Sequence, residues 1–136
     1  MAKKPQPSNL ELQVLSVLWE RGPQTVREAL EAMPDGKPRA YTTMLSVLQV
    51  MEKKGLLTHT TKGNAHVYKP AVGQRQTVGP LLRRLVANVF GGRVSSVLQH
   101  LLHDTRVDEA ELAALRRMIA EAAAAEKPRA RKGDER

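Results

Sequence analysis

The chain has 136 residues, 41% hydrophobic but only 3% aromatic, with 22 Lys and Arg against 14 Asp and Glu. That is room for a small domain plus an appendage, built on an aliphatic core, and a net charge of +8 points to an anionic partner such as nucleic acid. The absence of cysteine excludes disulfides and thiolate metal sites, and no apolar run approaches the roughly 20 residues that span a bilayer.

Residues 1–7 read as a flexible basic arm. No apolar stretch follows Lys3 and Lys4, so a signal peptide is not expected; a cytoplasmic protein without membrane insertion is. Ser8-Asn9-Leu10-Glu11 is a capping box, with a hydroxyl to accept from the backbone and a carboxylate to reach back. It predicts a helix over Asn9–Arg21, with Leu10, Val14, Val17 and Leu18 on its apolar stripe, Trp19 in the core, and Gly22-Pro23 as the stop. Thr25-Val26-Arg27-Glu28 is a second capping box, opening a short helix to about Met33 with Val26, Ala29, Leu30 and Met33 on one side. Pro34-Asp35-Gly36-Lys37-Pro38 is turn-rich.

A third helix is predicted from Tyr41 to Lys54, ending at Gly55. Met44, Val47, Leu48 and Met51 fall on one face and Thr42, Ser46, Gln49 and Lys53 on the opposite one, so one face packs and the other is free to read. Leu56–Thr61 and Ala65–Lys69 predict a β-hairpin around Lys62-Gly63-Asn64, with Gly and Asn available for positive φ. His59 and His66 fall on its strands, suited to a cross-strand pair or a phosphate contact. The remainder is helical. Val78 to Phe90 and Val94 to Leu102 carry apolar residues at helical spacing, interrupted by Gly91-Gly92, and Pro80 is expected in a first turn. Asp108-Glu109-Ala110-Glu111 caps a last helix.

The expected fold class is mainly α with a small β-hairpin wing. Residues 8–72 form a winged helix-turn-helix DNA-binding domain, 73–126 a C-terminal helical dimerisation segment, and 127–136 a disordered basic tail. Charge supports the assignment: across 37–69, Lys37, Arg39, Lys53, Lys54, Lys62 and Lys69 face Glu52 alone. A helix is about 10–12 Å across and the major groove about 12 Å wide. The expected DNA contacts are Arg39, Tyr41, Thr42, Thr43, Leu45, Ser46, Gln49, Lys53, Lys54, Lys62, Asn64 and His66. Gln49 can pair bidentately with adenine, and the lysines and Arg39 can meet phosphates. The apolar positions Leu81, Leu85, Val89, Phe90, Val94, Val97, Leu98, Leu101, Leu112, Leu115 and Ile119 are expected to bury against a second copy, giving a homodimer.

Nothing supports an enzyme: there is no G-x-S-x-G elbow and no carboxylate pair in an apolar setting. His100 and His103 have i, i+3 spacing but lack a clearly placed third ligand, so neither metal nor cofactor is expected. A winged helix used for protein–protein contact and a ligand-responsive regulator stay open as alternatives.

Residues Ala40 to Leu57 closely resemble the recognition helix of the BlaI/MecI penicillinase-repressor family, and Lys62 to Pro70 resemble its wing. Leu12 to Trp19 with Gly22-Pro23 is similar to the family's first helix, and Phe90-Gly91-Gly92 with Val97-Leu98 to the start of its dimerisation region. The resemblance implies a dimeric winged-helix repressor of an inverted-repeat operator with TACA/TGTA half-sites. It also implies release by a membrane sensor protease cutting in the dimerisation region, which falls at Gln99 and His100. Many relatives carry Arg where this chain has Val50, and the Cys cluster of the copper-sensing branch is missing.

Overall fold

The computed structural model describes residues 6–134, with side chains for 6–126. Helices α1 (Asn9–Arg21), α2 (Val26–Glu31) and α3 (Tyr41–Lys53) are followed by strands β2 (Leu57–Lys62) and β3 (Ala65–Pro70) and by helices α4 (Gln74–Val89), α5 (Val94–Asp104) and α6 (Glu109–Asp134). A two-residue strand, β1 (Gln24–Thr25), precedes α2. The chain divides into two compact units, Met1–Arg84 and Leu85–Arg136, so the first turns of α4 belong to the winged-helix unit.

In the first unit both capping boxes form. Glu11 N donates to Ser8 Oγ at 3.2 Å and Ser8 N to Glu11 Oε1 at 2.9 Å. Thr25 and Glu28 make the same reciprocal pair. Gly22 ends α1 with φ +83, a conformation that disfavours other residues. β1, which carries no periodicity of its own, is an addition to the expected hairpin. It pairs antiparallel with β3, and the sheet order is β1-β3-β2. The wing turn closes with Lys62 opposite Ala65. Gly63 takes φ +64 while Asn64 keeps a negative φ, the pattern of a type II′ turn.

The core joins Val14, Leu15 and Leu18 of α1, Val26 and Ala29 of α2, and Met44, Leu48 and Met51 of α3 to Met33, Leu56, Leu57 and Tyr68. Of the expected packing faces of α1, α2 and α3, Leu10, Leu30 and Val47 are half-buried and the rest buried, with Leu15 and Tyr68 added. Trp19 is half-buried, and its Nε1–H donates to the Val72 carbonyl at 3.0 Å, fixing the chain after β3.

α4 begins four residues ahead of the expected Val78. Pro80 therefore lies in its second turn rather than its first, where the Gln76 carbonyl receives no N–H from it. In the second unit Asp108 Oδ1 accepts from Glu111 N at 2.8 Å, capping α6 as expected. α6 runs to Asp134, past the expected start of the tail at 127; the side chains from 127 onward, and residues 1–5 of the arm, lie outside the described residues.

Candidate nucleic-acid interface

α3 has two distinct faces because its apolar residues recur every three to four positions. Met44, Leu48 and Met51 are buried in the core, and Tyr41, Thr42, Thr43, Ser46, Gln49, Val50 and Lys53 are exposed on the other side. Leu45 is half-buried against the core. Ser46, Gln49, Val50, Glu52 and Lys53 line one shallow concavity. The expected reading positions thus share a single solvent face. Lys62 and Asn64 are exposed at the wing tip, and His66 is exposed on β3.

Two expected phosphate contacts are engaged elsewhere. Lys54 Nζ lies 2.9 and 3.0 Å from the two carboxylate oxygens of Glu11, a side chain buried at the start of α1. Burial pushes the Glu11 carboxyl up, but hydrogen bonds from the Ser8 backbone and Lys54, the Lys54 charge and the Ser8 hydroxyl outweigh it and hold its pKa below the ordinary value. Lys54 is therefore the counter-ion of a buried carboxylate. Arg39 forms a fork on Asp35, with Nη1 3.1 Å from Oδ1 and Nη2 on Oδ2. That hydrogen bonding, with the Lys37 backbone N–H, brings the Asp35 pKa down to about 2.

Two features have no counterpart among the expected positions. The Arg27 guanidinium sits 5.6 Å over the Tyr41 ring, placing a cation beside the start of α3. Its only sequence signal is its place in the first turn of the helix that precedes the reader. Glu52, the single acid of 37–69, lies 2.8 Å from His59 Nδ1 through each of its oxygens.

In the second unit none of the expected dimerisation residues is fully buried. Leu85, Val89, Val94, Leu101 and Ile119 are exposed, Val94 to 71%, while Phe90, Val97, Leu98, Leu112 and Leu115 are half-buried. Leu81 belongs to the first unit and lines a cleft there. Gln99 and His100 are exposed on α5; the His100 ring meets Phe90 edge-on at 5.3 Å, and its Nδ1 lies 2.9 Å from the Ser96 carbonyl. Among the described residues no helix is long and apolar enough to cross a membrane.

The penicillinase repressor family matches residues 7–121. The chain belongs to this family. Over 123 residues it is 37% identical to the transcriptional regulator BlaI of Mycobacterium tuberculosis, covering 89% of this chain and 88% of that protein. It is 23% identical over 121 residues to the penicillinase repressor of Bacillus licheniformis, covering 89% and 94%. Among solved structures, the monomeric form of Bacillus licheniformis BlaI with the blaP half-operator superposes with a TM-score of 0.46 at 29% identity, over 55% of this chain and 92% of that one. The DNA-binding domain of the repressor BlaI gives 0.47 at 30% identity, over 54% and 90%. The penicillinase repressor family consists of DNA-binding transcriptional repressors, not enzymes, and this chain is a repressor of that type.

Proposed function

We propose that this penicillinase-repressor family member acts in the cytoplasm as a homodimer on an inverted-repeat operator. Each α3 reads one half-site with Thr42, Ser46 and Gln49, while Lys53 and Lys62 meet phosphates. The observation that carries this reading is the division of α3 into a buried face and an exposed polar one. Dimerisation is supported by the second unit, where α5 buries no residue and large aliphatic side chains stay in water. Each Leu or Val that becomes fully buried contributes about 1.5–3 kcal/mol, which favours an isologous pairing of these helices. Such a dimer presents two α3 helices to half-sites about one helical turn, or a multiple, apart. Release by a membrane sensor protease, cutting near the exposed Gln99 and His100, completes the proposal.

Selection of bound duplexes from a random library tests it, and an enriched inverted repeat is expected. For a dimer that neutralises about six phosphates, log affinity should fall against log salt with a slope near −5. A flat salt response overturns the reading. Co-expression with the sensor should yield a cut within α5; a chain left whole after induction overturns the release mechanism.

One observation favours a second reading, a ligand-responsive regulator. A cleft of about 370 Å³ in the first unit is lined by Leu56, Val72, Pro80 and Leu81 together with Lys54 and Arg84. It requires a small molecule that changes operator affinity of the purified protein with no protease present.

A further inference from the structure

Glu52 is the only acid in the basic stretch 37–69, and it shares the concavity of Ser46, Gln49 and Lys53 on the reading helix. A carboxylate there opposes a polyanion. Its partner is His59 of β2, whose Nδ1 lies 2.8 Å from both carboxylate oxygens. His66 stacks on the His59 ring, with centroids 4.3 Å apart and planes within 15°, fixing the plane in which Nδ1–H meets Glu52. Tyr68 of β3 lies 5.5 Å from the His59 ring, and burial, then Glu52 and Tyr41, hold its phenol above the ordinary value and therefore neutral. Tyr41 of α3 acts on the Tyr68 phenol, and Lys53 lines the same concavity as Glu52.

From this geometry we infer that the Glu52–His59 pair, braced by His66, is a proton-linked positioning device that couples recognition helix to wing and tightens DNA binding as pH falls. The inference rests on the operator-binding reading above. The Nδ1–H donor to Glu52 is supplied by the neutral Nδ1–H tautomer and by the imidazolium alike, so the brace persists in both. A proton added at Nε2 changes the charge of the pair from −1 to zero beside the face that meets phosphates. Bound phosphates favour the cationic ring in turn, so the complex takes up protons as it forms. His59 and Glu52 are thus positioning residues whose charge state DNA senses.

The test uses the full chain and a labelled duplex enriched by it from a random library at pH 7, titrated from pH 5.5 to 8 at constant ionic strength. Uptake of one proton per protomer on binding gives up to about tenfold tighter binding for each unit by which pH falls. Glu52→Gln should bind more tightly than the unaltered chain at pH 8 and move the pH-dependent range to lower pH. His59→Gln should flatten the profile, whereas His103→Gln should leave it unchanged. Titration calorimetry of the unaltered protein at pH 6.5, in two buffers of different ionisation enthalpy, should show net proton uptake and needs no variant to fold. Measurable binding with a flat profile and no proton uptake overturns this inference alone. A pH-dependent range that Glu52→Gln leaves where it was also overturns it. Absence of binding at every pH overturns the operator-binding reading and this inference with it.

Discussion

Lys53 and Lys54 are adjacent in sequence and should fail in opposite ways when changed to Ala. The Lys54 ammonium donates to both oxygens of Glu11, at 2.9 and 3.0 Å. Without it, Glu11 Oε1 keeps the Ser8 backbone N–H at 2.9 Å, but Oε2 loses its protein donor. A fully buried pair broken from one side costs about 3–5 kcal/mol. The Glu11 side chain is only 8% exposed, but that of Lys54 is 38% exposed, so water screens the pair. Lys54→Ala should therefore cost about 2 kcal/mol, in line with a hydrogen bond to a charged group. Urea denaturation should show the midpoint lowered by about 1 M. Lys53 is exposed, so Lys53→Ala should leave the midpoint unchanged and weaken DNA binding, reducing the salt slope by about 0.9 for each phosphate left unneutralised. If Lys54→Ala unfolds at the wild-type midpoint and instead lowers the salt slope as Lys53→Ala does, the Glu11 ion pair has no structural weight.

Asp35→Ala should free Arg39 for the DNA backbone and remove a negative charge, raising affinity and steepening the salt slope by about 0.9 per protomer in fluorescence titrations. Gln49→Ala should relax base preference at one position of the enriched sequence, at about 1–3 kcal/mol, while Lys62→Ala should weaken all sequences alike. Leu101→Asp, at an exposed aliphatic position of α5, should give a monomer by sedimentation with an unchanged winged-helix unit and much weaker operator binding. The Glu11 pKa is held below its ordinary value, so its contribution to stability is fully present above the unfolded-state pKa and lost as pH falls through the folded one. Glu11→Gln should accordingly be less stable at neutral pH and show a shallower acid limb in urea midpoints measured from pH 6 to 3.

Elements whose boundaries are set by local chemistry were legible in the chain. Ser8 with Glu11, Thr25 with Glu28, and Gly22 determine helix ends through bonds made within a few residues, and the apolar spacing of α3 determines which face is buried. Features that depend on distant partners were not legible. Lys54 looks like a terminal helix cation until Glu11, 43 positions earlier, is seen beside it. β1 exists because β3 offers a free edge, which two residues of sequence cannot announce. Asn64 tolerates positive φ, but once Gly63 takes it the turn needs none from Asn64. Residues exposed on α3 followed from the helical period alone, whereas the engagement of Arg39 depends on the path of the loop from Asp35.

Thr25 serves two neighbours at once: it pairs with Val67 as the end of β1, and its hydroxyl caps α2. Chain length is therefore not negotiable on either side of it. One residue inserted between Pro23 and Val26 would turn the strand's side chains to the opposite face or pull the cap away from the helix it starts. The tip at Gly63-Asn64 has no such double duty and lies in solvent. Lineages that lengthen or shorten this domain should do so at the wing tip rather than at the bend between α1 and α2.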